Sequence, residues 1–129
     1  MTLAAELADG WMSHGHAPEE TARMVSAIRP LLGDKAGTFE IASANVVAFG
    51  ADETKARAKV RGLIPAATWA LFQQADIKKE IRSGAYGSPE RCIEHLKAQA
   101  DAGITTMTLI FFDPADVDLF VKEVMPALR

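Results

Sequence analysis

The chain has 129 residues, which is enough for one domain with a hydrophobic core and too few for two ordinary domains. Hydrophobic residues make up 49% and charged residues 24%, which excludes a disordered chain, and a formal net charge of -3 disfavours nucleic acid and anionic membranes as partners. A single cysteine, no apolar run long enough to span a membrane and no signal-like start together predict a soluble, cytoplasmic protein with one domain over residues 1–129.

A helix followed by a strand is predicted in the first half of the chain. From Pro18 to Leu32 the apolar residues recur at steps of three and four, the period of an amphipathic helix, and Gly33 suits its end. The run from Thr38 to Phe49 is nearly uncharged and partly β-branched. This composition predicts a buried strand that ends at Gly50.

A second helix is predicted after Asp52, whose side chain suits the N-cap position, with Ala56 and Val60 on its apolar face. Pro65 is expected to interrupt or kink this helix. The segment from Gly62 to Tyr86 carries no pattern that assigns it, and it is a candidate cover for the sheet or a contact between chains. Its large apolar residues are Leu63, Ile64, Trp69, Leu71 and Phe72.

The last third of the chain predicts a further helix–strand–helix unit. Ser88 begins a helix that ends at Gly103, the uncharged run from Ile104 to Phe112 predicts a strand, and Asp113 caps a final helix. The residues expected on the apolar faces are Cys92, Ile93, Leu96 and Ala100 in the first of these helices and Val117, Phe120, Val121, Val124, Met125 and Leu128 in the last.

Long helices alternating with strand runs predict βαβ units, hence an α/β fold with a parallel sheet and right-handed connections. We expect Trp11 to Ser13, Phe39 to Ala48 and Ile104 to Phe111 to be parallel neighbours in that spatial order, with helices on one face.

Four segments, in their order and spacing, resemble the last third of the luciferase-like monooxygenases. They are residues 4–11 (AAELADGW), 87–90 (GSPE), 101–104 (DAGI) and 120–129 (FVKEVMPALR), and together they extend over nearly the whole chain. The resemblance implies an eight-stranded (β/α) barrel that uses reduced flavin or a deazaflavin for oxygenation or hydride transfer.

Such a barrel needs about 250 residues, so the resemblance implies a partial (β/α) barrel made of strands six to eight. In the family a glycine-rich phosphate-binding turn precedes the helix that resembles Leu3 to Ala8, and the early strands form much of the flavin pocket. We therefore expect flavin mononucleotide or a deazaflavin as the cofactor of the whole barrel, and weak binding or none by this chain alone.

Alternation along the strands assigns side chains to the two faces of this barrel. We assign the more polar set of each strand to the interior, because an amide facing the helices would need a hydrogen-bond partner in an apolar layer. The interior sets are Ser43, Asn45 and Val47 in the first strand run and Thr106, Thr108, Ile110 and Phe112 in the last.

Barrel active sites gather at the carboxyl ends of the strands, which selects Trp11, His14 and Phe112 as cofactor-binding candidates. By the resemblance, Trp11 lies in a stretch that leads toward the flavin pocket, where its indole can cover a flavin edge. Packing in the core is the alternative for Trp11. No catalytic residue is selected.

Two other pairs of residues have spacings that suit chemistry. His14 and His16 can bind one metal ion if the segment is extended, but no third ligand is evident and no metal site is predicted. Cys92 and His95 lie one helical turn apart, and Cys92 is interpreted as a small core residue. Asp52, Ser88 and Asp113 are interpreted as helix caps.

Two functions of different classes fit the sequence. The chain is either the C-terminal part of a flavin- or deazaflavin-dependent oxidoreductase that is active when the missing strands come from elsewhere, or a non-catalytic partial barrel that self-associates. Both predict association, as a homo-oligomer or with a complementing barrel fragment, because three strands cut from a barrel leave open edges and an uncovered face.

Overall fold

The computed structural model describes residues 1–68 and 84–129, so Trp69, Leu71 and Phe72 lie outside the described residues. The helices are α1 (Thr2–Leu7), α2 (Pro18–Ile28), α3 (Glu53–Leu63), α4 (Pro89–Asp101) and α5 (Pro114–Leu119), and the strands are β1 (Gly10–His14), β2 (Glu40–Phe49), β3 (Gly84–Gly87) and β4 (Thr106–Ile110). Short 3-10 turns follow α2 at Arg29–Leu31 and Gly33–Gly37, and α5 continues as a π-helical segment, Phe120–Val124, and a 3-10 turn, Met125–Leu128. Within the described ranges, no helix is both long and apolar enough to cross a membrane.

The sheet is built around β2, and each of its described strand pairs is parallel. β1 runs along the first half of β2, starting with Gly10 opposite Glu40, and β4 runs along its middle, starting with Thr106 opposite Ala42. Because both neighbours pair with residues 42–44, they lie on opposite edges of β2. β3 pairs with the last four residues of β2. The predicted order of three parallel neighbours, now β1, β2 and β4, is confirmed.

One core layer lies between the sheet and the helices α1, α2, α4 and the C-terminal helical segment. Val25 and Ile28 of α2 are buried against Ile41 of β2. Leu96 of α4 is buried in a second cluster with Val47 of β2, and Phe120 and Val124 of the C-terminal segment belong to it as well.

The predicted apolar faces are confirmed for Cys92, Leu96, Phe120 and Val124, which are buried. They are wrong for Ala100, which is exposed, and for Val117, Val121 and Leu128, which are 39%, 52% and 37% exposed. The segment Phe120–Val124 is π-helical, so its residues do not keep the period of 3.6 on which the predicted face of the last helix depends.

α3 packs on the opposite face of the sheet. Its buried residues Ala56 and Val60, followed by Ile64, contact Val46 and Ala48 at the carboxyl end of β2. The expectation that the helices lie on one face only is therefore wrong for α3, although it holds for α1, α2, α4 and the C-terminal segment. The reason is that β2 is apolar on both faces at this end, so both faces need a cover.

The prediction that Ser43, Asn45 and Val47 point to the barrel interior is wrong. Ile41 and Val47 have the same parity in β2 and are buried against α2 and α4, so Ser43 and Asn45 lie in that helix layer. The amide does not lack a partner there, because Asn45 Nδ2 donates to Ser43 Oγ at 2.8 Å. A hydrogen bond within the strand thus offsets the cost of burial.

The face of the sheet away from α2 and α4 is called the inner face below. Its first two rows across the strands are Met12, Ala42 and Thr106, then His14, Ala44 and Thr108. Both threonines and His14 are exposed, and Met12 is 54% exposed. The parity prediction is therefore confirmed for the threonines of β4.

The three predicted N-caps are confirmed. The side chains of Asp52, Ser88 and Asp113 each accept a hydrogen bond from a backbone N–H two or three residues later, at 2.8, 3.4 and 3.0 Å. Such a cap stabilises a helix by about 1 kcal/mol. Lys35 makes a contact at the end of α1 that the sequence did not predict. Its Nζ donates to the backbone carbonyl of Glu6 at 2.8 Å.

Candidate functional site

The three predicted cofactor-binding residues fall on two faces of the sheet. His14 ends β1 opposite Ala44 on the inner face. Phe112 follows β4 by two residues and packs, half-buried, beside the α3 cluster on that same face. Trp11 lies opposite Ile41 and packs, half-buried, in the helix layer. The structure thus brings His14 and Phe112 to one face and separates Trp11 from both.

Met12 is an inner-face residue of β1 that is not among the predicted cofactor-binding residues. Its neighbour Trp11 packs with the α2 cluster, in agreement with the core-packing alternative for this indole. Alternation along β1 then places Met12 on the inner face beside Ala42. The register of β1 on β2 determines whether Trp11 or Met12 lies on the inner face. That register cannot be read from a single sequence.

His14 and His16 do not form a metal site. Gly15 between them has φ 63°, so the segment is turned rather than extended, and His16 Nδ1 lies 3.0 Å from Glu20 Oε2 on α2. In the part of the chain that the structure describes, no three histidine, cysteine or acidic residues are grouped to hold a metal ion. The left-handed turn at Gly15 is the feature that separates the two imidazoles.

A buried ionic contact holds the carboxyl end of β2. Asp116 on α5 is 4% exposed, and its Oδ2 accepts from the N–H of Phe49 at 3.3 Å. Lys59 Nζ of α3 donates to Asp116 Oδ1 at 2.6 Å and lies 3.5 Å from Asp113 Oδ2. The contact therefore joins α3, β2 and α5 next to Phe112. The sequence did not reveal it, because the partners are 57 residues apart.

Cys92 is confirmed as a buried core residue. Its Sγ donates to the carbonyl of Ala85 at 3.2 Å, and burial raises the pKa of the thiol to about 12. The thiol therefore stays protonated at neutral pH, which does not suit a nucleophile. Burial also lowers the pKa of His95, one turn further along α4, so this imidazole is neutral at pH 7.

The centre of the inner face carries its smallest side chains. Ala42 and Ala44 are buried, at 7% and 6% exposure, between Met12 and His14 of β1 and Thr106 and Thr108 of β4. In a closed (β/α) barrel, further strands would cover this face.

Comparison with solved structures shows which barrels share this fold. An F420-dependent secondary alcohol dehydrogenase in complex with an F420-acetone adduct matches 99% of this chain, with a TM-score of 0.72 and 20% sequence identity. The long-chain alkane monooxygenase LadA matches 98% of this chain, with a TM-score of 0.67 and 17% sequence identity. The riboflavin lyase RcaE, with modified FMN and riboflavin, matches 99% of it, with a TM-score of 0.68 and 15% sequence identity. The chain has the fold of part of a luciferase-like barrel.

The luciferase-like barrel is represented only in part. The chain spans 45%, 38% and 40% of the dehydrogenase, the monooxygenase and the lyase, less than half of each. No protein-family model and no curated protein sequence matches it. The matches to solved structures confirm the fold that the sequence resemblance implies.

Proposed function

We propose that this chain acts in the cytoplasm as the C-terminal part of a luciferase-like oxidoreductase or monooxygenase. It would supply strands six to eight of a barrel whose earlier strands come from another polypeptide segment. The observation that carries the proposal is the set of parallel neighbours β1, β2 and β4, whose inner face holds His14 and Phe112 toward its carboxyl end. Active sites of (β/α) barrels lie at this end of the strands.

The cofactor in this proposal is flavin mononucleotide or a deazaflavin, which supplies hydride transfer or oxygen activation when bound. Support comes from the structural matches, whose names include F420 and FMN. Ala44 and Thr108 would line one side of the ring, His14 would contact its polar rim, and Phe112 would exclude water at the end covered by α3. Trp11 would act from the helix layer, by holding β1 in place.

The partner in this proposal is a complementing barrel fragment. Among the described residues, β1 and β4 each pair with β2 alone, so the outer edge of each strand has no partner strand there. A closed barrel leaves no such edge, because hydrogen bonds run around the whole ring. A fragment that carries the remaining strands and pairs with both edges would also cover Met12, Thr106 and Thr108.

Co-expression tests the proposal directly. The chain is produced alone and with the polypeptide encoded immediately upstream of it, and bound flavin or deazaflavin is measured by absorption after purification. We expect cofactor only in the co-purified complex, less of it with His14→Ala, and no loss with His16→Ala, which removes a histidine that turns away from the inner face. Equal retention in the two variants, or an upstream region that encodes no strand-rich fragment, would contradict the proposal.

A non-catalytic, self-associating partial barrel is the second candidate. The observation in its favour is the exposure of Met12 at 54% in the first row of the inner face, beside strand edges that lack a partner in the described part of the chain. Two copies related by a two-fold axis would cover these surfaces for each other. A stable homo-oligomer that binds no flavin, with or without an upstream partner, would favour this candidate.

A further inference from the structure

A separate cleft of about 370 Å³ lies where the first turns of α2, α3 and α4 meet β3. Tyr86 of β3 lines it, together with Arg57 of α3 and with Arg91 and His95 of α4. None of the three predicted cofactor-binding residues lines this cleft, so it is distinct from the site proposed above.

Two polar atoms at the cleft lack partners. Tyr86 is 4% exposed, and its Oη, like Nε2 of His95, is buried with no hydrogen-bond partner in the described part of the chain. Such atoms are rare, because a buried donor without an acceptor destabilises the fold. Burial raises the pKa of Tyr86 to about 12 and lowers that of His95, so both groups are neutral at pH 7. The Tyr86 hydroxyl can donate, and Nε2 of the neutral imidazole donates in one of the two tautomers of the ring. They point to a ligand that brings an acceptor.

Positive charge flanks these donors on two sides of the cleft. The Arg57 guanidinium lies 4.3 Å from the centroid of the Tyr86 ring, and its Nε donates to Glu53 at 2.9 Å. Arg91 is exposed, and its Nη1 is 3.8 Å from Glu94 Oε2, which is too long for a hydrogen bond. The first turns of α3 and α4 add the positive ends of two helix dipoles. Arg91 is thus placed to bind an anion, and doing so would break only its weak contact with Glu94.

We propose that this cleft binds the oxyanion group, carboxylate or phosphate, of a small metabolite. Arg91 is the main anchor, Arg57 adds positive charge, and Tyr86 and His95 donate to the ligand after a small side-chain movement that exposes them. Glu94 competes with the ligand for Arg91, Glu53 is paired with Arg57 at 2.8 Å, and Glu19 also lines the cleft. Three carboxylates in the lining disfavour a highly charged polyphosphate and favour a single oxyanion group.

Calorimetric titration of the full chain tests the proposal, with inorganic phosphate and succinate as probes at constant ionic strength. We expect saturable binding of one or both, which also tells phosphate from carboxylate. Arg91→Ala should weaken binding about tenfold, because a charge-assisted hydrogen bond is lost. Glu94→Gln should tighten it, because the competing carboxylate is gone. Lys97→Ala, which removes an exposed cation elsewhere on α4, should leave it unchanged.

The outcomes that overturn the proposal are equally distinct. Absence of saturable binding by both probes, or equal effects of Arg91→Ala and Lys97→Ala, would mean that the cleft holds no anion. Tighter binding in Arg91→Ala with weaker binding in Glu94→Gln would also reject it. Tyr86→Phe gives an independent readout, because it should raise the melting temperature measured without probe and weaken probe binding. A variant that changes neither would contradict the role of the buried hydroxyl.

Discussion

At the scale of single residues, the carboxylate of Asp116 is the contact that positions the end of β2 beside Phe112. It is buried and bonded to both the N–H of Phe49 and the ammonium group of Lys59. Removing it would leave a buried backbone donor without an acceptor and a partly buried cation without its counter-charge. Both effects destabilise the folded state, and neither is visible from the composition of α5.

Asp116→Ala is therefore expected to lower the free energy of unfolding by about 2 kcal/mol, the range found when a hydrogen bond to a charged group is lost. Urea unfolding followed by circular dichroism measures this. Asp118→Ala removes an exposed carboxylate from the same helix and serves as the control, with a change near zero. Equal unfolding free energies for the two variants would show that Asp116 does not hold the strand end.

The buried thiol of Cys92 makes the folded state less stable as the pH rises in the alkaline range. Burial raises the pKa of its thiol from the ordinary value of 9.0 to about 12. Above pH 9 the unfolded chain loses this proton while the folded chain keeps it, so the stability present below pH 9 is lost as the pH rises toward 12. We expect the melting temperature to fall less steeply between pH 9 and pH 11 in Cys92→Ala than in the natural chain. Parallel curves would contradict this.

The site residues show what a sequence can predict at this scale. Alternation along an uncharged strand predicts the face on which Phe112 lies. A motif predicts Trp11 at the cofactor, but Trp11 packs in the helix layer because the register on β2 places it opposite Ile41. The lysine partner of Asp116 belongs to a distant helix, and only the fold brings the two together.

At the scale of elements, β3 requires glycine at position 84, because other atoms already fill the space that a Cβ would occupy there. A Cβ on Gly84 would lie 2.6 Å from Val46 O and 2.8 Å from Tyr86 Cε2, whereas a Cβ on Gly62 in α3 would meet nothing within 4 Å. Overpacking costs about 1–3 kcal/mol, and replacing a helical glycine by alanine stabilises by up to about 1 kcal/mol.

Gly84→Ala should therefore lower the free energy of unfolding, and Gly62→Ala should leave it unchanged or raise it. Thermal denaturation of the two variants in one buffer provides the measurement. A loss of stability in Gly62→Ala equal to that in Gly84→Ala would contradict the packing account of β3. This pair compares the same chemical change at a closed and at an open position.

Element boundaries follow local chemistry where that chemistry is strong. The predicted helix from Pro18 to Leu32 ends as an α-helix at Ile28, because Pro30 lacks the N–H that would continue it, and the chain goes on as a 3-10 turn. β2 is long and nearly uncharged, and the sequence predicts its start to within two residues. The sequence does not predict β3, because four residues with glycine at both ends have the composition of a turn.

At the scale of the whole molecule, the exposed inner face predicts self-association of the chain when it is alone. Met12 is 54% exposed on that face, while Leu7 is 80% exposed on α1. Met12→Glu would place a charge in the proposed interface, and Leu7→Glu would place one outside it. The two variants remove similar apolar surfaces from different parts of the molecule.

Sedimentation at micromolar concentration is expected to give a mass above that of one chain for the natural protein and for Leu7→Glu, and the mass of one chain for Met12→Glu. A single-chain mass for the natural protein would contradict the prediction. Dissociation by Leu7→Glu with no effect of Met12→Glu would place the interface on the helix side instead.

The fold class and the strand order were predictable because uncharged strands and amphipathic helices alternate along the chain, and the motif order added the kind of barrel. The position of α3 could not be predicted from the sequence. Its apolar residues Ala56 and Val60 fit either face of the sheet, because the carboxyl end of β2 is apolar on both sides. Which face a helix covers depends on its connection to the strand as well as on its pattern.

Flavin binding by the chain alone and by the completed barrel shows whether the cofactor site is divided between two polypeptide segments. Purified chain is titrated against the fluorescence of flavin mononucleotide, first alone and then with the complementing fragment. We expect a dissociation constant far above micromolar for the chain alone, because it supplies one wall of the pocket, and much tighter binding with the fragment. A submicromolar dissociation constant for the chain alone would show that this part of the barrel is a complete cofactor site by itself, against our proposal.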